Sequence, residues 1–126
     1  ADAVAFTAAT ARIADAYAAS DLVLQLSRKP ESFGRTVIEA LSVGCPVLGW
    51  AHGGVGELLA ELQPRGAVTP FDANALASTA RALLAHRPLP LATMPYTLRA
   101  MQQATLALYH ELIAAPAHDY KLHAAR

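Results

Sequence analysis

The sequence predicts an α/β fold, a parallel sheet with helices on its faces. Three observations carry that expectation. Residues 22–26 (Leu-Val-Leu-Gln-Leu) and 46–50 (Pro-Val-Leu-Gly-Trp) are short, nearly unbroken apolar runs, the mark of strands covered on both faces. Each run leads through a loop into a stretch of helical period. The resulting strand–helix–strand spacing calls for right-handed crossovers between parallel strands. A chain of 126 residues, 54% hydrophobic and 16% charged, has the length and composition of a globular domain with a core of its own.

The elements follow in order. Residues 4–7 (Val-Ala-Phe-Thr) read as a first short strand, and residues 9–19 as a helix with Ile13 and Tyr17 on one face. The strand at 22–26 is followed by a loop over 27–34. A helix over 35–43 buries Val37, Ile38 and Leu41, and Gly44 stops it. After the strand at 46–50, His52-Gly53-Gly54-Val55-Gly56 reads as a glycine-rich turn and 57–62 as a short helix; residues 67–69 form a third strand. Asp72 caps a helix to about His86, with Phe71 and Leu76 as a hydrophobic staple and Leu76, Ala80, Leu83 and Leu84 as its core face. Residues 87–95 connect to a last helix that Pro95 opens, with Leu98, Met101, Thr105, Leu108 and Leu112 on one stripe. Residues 1–115 form the domain, and 116–126, without apolar period, a loose tail.

Several function classes drop out. Ten basic residues balance ten acidic ones, so nothing suggests a nucleic-acid footprint. A single cysteine, Cys45, excludes a disulfide framework and a multi-cysteine zinc site, and reads as a small buried residue. No apolar run reaches the roughly 18 residues of a spanning helix, and no signal-peptide pattern opens the chain, so the expected location is cytoplasmic. His86, His110, His118 and His123 lack metal-ligand spacing. Trp50 reads as packing, and His52, Arg28 and Lys29 as loop groups.

In open α/β sheets, ligands bind beyond the carboxyl ends of the strands. Two loops leave such ends here, at 27–34 and 51–56, and each places glycines and backbone N–H groups at a helix start, which suits an anion. Glu31 and Glu39 flank the first helix start. A carboxylate at Glu39 suits a vicinal diol such as a ribose; by spacing alone, an i,i+4 ion pair with Arg35 is the favoured alternative.

The run Glu31-Ser32-Phe33-Gly34-Arg35-Thr36-Val37-Ile38-Glu39-Ala40-Leu41, then Gly44-Cys45-Pro46-Val47 and Gly53-Gly54-Val55-Gly56-Glu57, closely resembles the C-terminal half of retaining, nucleotide-sugar-dependent glycosyltransferases of family 4, built on the GT-B fold. The resemblance spans about residues 4–86. It implies a Rossmann-like, donor-binding domain that lacks its first strands. Glu31 matches the glutamate that meets the donor sugar and is taken as the catalytic-site carboxylate; Glu39 matches the one that holds the nucleotide ribose. Ser32, Phe33 and Gly34 match the backbone facing sugar and phosphate. Thr36 and Val37 match the nucleotide side, and Gly53 and Gly54 a second loop made for close approach. Glu57 also matches, though an acidic residue in a first helical turn serves capping alone.

Some positions depart from the family pattern. Leu26-Ser27 replaces the usual Pro-Ser, and the loop is one residue longer. Ser32 replaces a common Gly, and Arg35 a common Leu; Arg35 either faces the donor phosphates or pairs with Glu39. No counterpart of the family's Gly-Arg … Lys-Gly segment precedes Val4, nor does the acceptor-binding domain. The chain is therefore expected to be an inactive part of a transferase. The resemblance implies an NDP-sugar donor, no cofactor or metal, a carbohydrate or lipid-linked acceptor reached through the other domain, and a parent enzyme for which peripheral membrane association is open. The alternatives are a sugar-nucleotide epimerase of similar half-fold and a non-catalytic interaction domain.

Overall fold

A computed structural model describes residues 3–114. The chain divides into two compact units, Ala1–Met94 and Pro95–Arg126. The first is a three-stranded parallel sheet in the order β1 (Val23–Gln25), β2 (Val47–Trp50), β3 (Ala67–Val68). Its helices are α1 (Ile13–Ala18), α2 (Arg35–Ser42), α3 (Gly53–Leu62) and α4 (Ala73–Ala85), with a 3₁₀ turn at Pro64–Gly66. The register pairs Val23 with Val47 and Gln25 with Gly49 on one side of β2, and Gly49 with Ala67 on the other.

The side-chain alternation of β2 explains the two layers. Val47 points into a core shared with Val37, Ala40 and Leu41 of α2 and Val55, Leu58 and Leu59 of α3. Leu48 and Trp50 point the other way, into a cluster with Val68 of β3 and Leu83 of α4. All four residues of β2 are buried, as expected of a strand paired on both edges and covered on both faces.

The stop at Gly44 takes a specific form. Gly44 is left-handed, with φ 77°. Its N–H donates to Leu41 O at 3.0 Å, and the Cys45 N–H to Ala40 O at 3.0 Å. Together these bonds form a Schellman motif, which satisfies the last carbonyls of α2 and turns the chain into β2. Cys45 lands fully buried with its thiol 3.2 Å from Ser20 O, and burial pushes the thiol pKa up against the lowering effect of Arg87.

At α4, Asp72 accepts the Ala75 N–H at 2.8 Å, the expected N-cap. Replacing Asp72 by alanine should lower stability by about 1 kcal/mol, readable as a reduced denaturant midpoint at constant m-value.

Several expectations are corrected. Residues 4–7 form no strand; among the described residues the ladder contains β1, β2 and β3, and Val4 and Phe6 lie in solvent. The first helix begins at Ile13, not residue 9, because Thr10 Oγ1 accepts the Arg12 N–H and the first helical turn closes on Arg12 O. β1 is not covered on both faces: it lies at an edge of the described sheet, and Leu24 is 52% exposed. Ile38 is only partly buried, with Ala40 taking the inner place. The glycine-rich segment after β2 is no separate turn; α3 starts at Gly53 itself, so Glu57 stands beyond its first turn. In α4, Leu76 and Ala80 pack on the Leu83 cluster, whereas Leu84 is turned outward. Phe71 meets the rings of Trp50 and His52, with centroids 5.8 and 5.9 Å away.

The second unit contributes α5 (Leu98–Ala114) to the described residues. Thr97, not Pro95, begins it: Thr97 Oγ1 accepts the Ala100 N–H at 3.1 Å. The tail expected over 116–126 lies outside the described residues.

Candidate functional site

Parallel strands place the loops after β1 and β2 at one edge of the sheet, and both lead into helix N-termini. The loops are bonded to each other. The Gly54 N–H, in the first turn of α3, donates to Glu31 O at 2.7 Å. A Cβ on Gly54 would lie 2.6–2.7 Å from the backbone N, Cα and C of Phe33, so only glycine permits this approach. His52 Nε2 lies 3.2 Å from Ser27 O and adds a second tie. Gly53 sits against Pro30 and Glu31 in the same way, so the lack of side chains at both glycines serves the approach of the neighbouring loop.

Around this seam, Glu31, Ser32, Phe33, Gly34, Arg35 and Thr36 line an open hollow. Gly34 is the N-cap of α2 with φ 86°, and no side chain caps that helix end. The Glu31 carboxylate is half-buried and accepts a 2.8 Å bond from Gln25 Nε2. Glu39 lies one turn into α2 and is paired with Arg35 at 3.0 Å. That pair is solvent-exposed, with Arg35 at 83%, so it adds a few tenths of a kcal/mol at most. Val37 turns its side chain into the core and is not among the residues that line the hollow; its N–H bonds Gly34 O at 3.0 Å.

Two features escaped the sequence reading. Gln25 braces Glu31; its one visible signal was a polar residue inside an apolar strand run. Phe71 is the only non-glycine residue of positive φ (66°) among the described residues, and the Arg28 guanidinium lies 5.9 Å from its ring centre. No local pattern in the sequence announces that arrangement.

The family model for Glycosyl transferases group 1 matches residues 1–97. The chain belongs to this family. The match takes in β1 to α4 and every residue of the hollow, while α5 begins just beyond it. No curated protein matches the glycosyltransferase chain. Its first unit is the α/β, Rossmann-like sheet-and-helix arrangement that the sequence predicts for such a domain. Among its described residues, no helix is long and apolar enough to cross a membrane.

Proposed function

We propose that this glycosyltransferase domain binds the nucleotide-sugar donor of a retaining, family 4-type enzyme, as the C-terminal half of a GT-B architecture. The observation that carries the reading is the joined pair of loops, which sets Glu31, the amides of residues 32–34 and the open end of α2 around one hollow at the carboxyl edge of the sheet. A helix N-terminus and backbone N–H groups favour a diphosphate. Glu31 accepts hydrogen bonds from the donor sugar, and Glu39, on releasing Arg35, accepts two from the ribose diol. Arg35 is then free to swing toward the phosphates.

In the transfer step the diphosphate departs from C1 of the sugar while an acceptor hydroxyl arrives on the same face, through an oxocarbenium-like transition state. The domain's task is positioning and stabilisation of the leaving charge. On this reading, transfer to a carbohydrate or lipid-linked acceptor requires a second, acceptor-binding domain.

The test is a titration of the chain with UDP, GDP and ADP, followed by NMR. At least one nucleotide should shift resonances across residues 31–39. Glu39→Ala should weaken that nucleotide roughly 10- to 100-fold, the worth of a charge-assisted pair of hydrogen bonds. Glu57→Ala, outside the hollow, should leave it unchanged. If none of the three nucleotides perturbs residues 31–39, the reading is wrong.

A further inference from the structure

We propose that Gln25 is a positioning residue for the sugar contact of the donor site, an inference that rests on the donor-binding reading above. Gln25 is the last residue of β1. Strand alternation puts it on the same face as Val23, which packs against the α2–α3 core. An aliphatic side chain is the ordinary choice there. The chain instead places an amide, and both ends of that amide are used. Its Oε1 accepts the Ser27 N–H at 3.1 Å, and its Nε2 donates to Glu31 Oε1 at 2.8 Å.

The amide has one sensible orientation. A backbone N–H can only donate, so the carbonyl end must face Ser27, which turns the NH₂ end to the carboxylate. Gln25 itself is fixed by the ladder, opposite Gly49 of the fully buried β2. A loop carboxylate is thus tied to a strand end that is paired with the buried central strand. One oxygen of Glu31 is held to the strand, and the group's remaining acceptor capacity serves the hollow that Glu31 lines. Without the brace, Glu31 would have to be ordered by the ligand at the moment of binding.

This role separates two ligands that differ only in the sugar. A free nucleoside diphosphate does not touch Glu31; a nucleoside diphosphate sugar does. Affinities of the full chain are therefore measured for UDP and UDP-glucose, GDP and GDP-mannose, and ADP and ADP-glucose, in wild type, Gln25→Leu and Gln25→Glu. Leucine suits the apolar face and keeps the fold. Gln25→Leu should leave the preferred free diphosphate within about twofold and weaken its sugar form by roughly fivefold to tenfold, the range for ordering one long side chain. Gln25→Glu, isosteric but unable to donate at neutral pH, should weaken the sugar form further by setting two carboxylates together. In a Glu31→Ala background, Gln25→Leu should have no additional effect.

An unchanged ratio between sugar form and free diphosphate in Gln25→Leu overturns the positioning role while leaving the donor site intact. Equal weakening of both ligands, with a lowered melting temperature, assigns Gln25 to packing and also overturns it. If wild type binds none of the six ligands, the donor-site reading itself has failed and the inference falls with it.

Discussion

Replacing Gly54 by alanine should destabilise the domain by roughly 3 kcal/mol, at the upper end of what overpacking costs. The added methyl would stand 2.6–2.7 Å from three backbone atoms of Phe33. Flexible side chains can step aside from such a contact, but a peptide unit cannot without moving its loop. Relief means separating the loops, which stretches the 2.7 Å bond from the Gly54 N–H to Glu31 O. The first turn of α3 would then lose the carbonyl that satisfies it. Thermal denaturation should show a fall on the order of 10–20 °C for a unit of this size. The same substitution should abolish nucleotide-induced shifts at residues 31–39, since the hollow is built on that seam. A variant with wild-type melting temperature would refute the close packing of the loops.

Gln63→Leu should have an effect of similar size through different physics. Gln63 is buried, and its amide makes both bonds that Val47 has to make on that side: the Val47 N–H donates to Oε1 at 3.1 Å, and Nε2 donates to Val47 O at 2.6 Å. The β3 ladder starts at the residue opposite Gly49, and Gly66, which lies beside Val47 O, gives its N–H to Gln63 O instead. The side chain extends the ladder by one step. Leucine fills the volume and leaves a buried donor and a buried acceptor unpaired, about 1–3 kcal/mol for each.

Gln63→Glu sharpens the test. A protonated glutamic acid can donate to Val47 O as the amide does; a carboxylate cannot, and would be buried as a charge. Its pKa in the folded state should rise above the unfolded value of about 4.3. The folded state then holds the proton more tightly than the unfolded one. Stability relative to wild type should be least impaired below about pH 4 and should decline as pH rises through the interval between the two pKa values. A pH-independent difference from wild type would contradict the two bonds to Val47.

Local chemistry explains which parts of the structure were legible beforehand. Gly44 after α2 and Asp72 before α4 act through bonds to residues within five positions, so their roles follow from sequence spacing. The same holds for the Arg35–Glu39 pair, one helical turn apart. The start of α3 at Gly53 is not legible in the sequence because two successive glycines disfavour helix locally, whereas Glu31 O, supplied from another loop, bonds its first turn. Exposure of Leu24 depends on the order of strands in the sheet, which no single apolar run specifies. Gln63 acts across sixteen residues, and its role is set by where β3 begins. In the candidate site, Glu31 and Glu39 stood out by pattern, but the brace from Gln25 depends on how the loop folds back over the strand end.

The carbonyl of Glu31 lies against the amino end of α3. One N–H of that helix start is thus already taken by a peptide oxygen, whereas no side chain caps the start of α2. Since one residue both bonds the first turn of α3 and lines the hollow, the two loops form one joined lip rather than a pair of separate jaws. If the domain binds a nucleotide-sugar as proposed, the release of Arg35 from Glu39 is a rotamer change, which takes picoseconds to nanoseconds in exposed side chains. Under the proposed donor-binding role, the Arg35–Glu39 pair is the part of the site that binding has to open, while the bonded backbone of the loops can stay as it is.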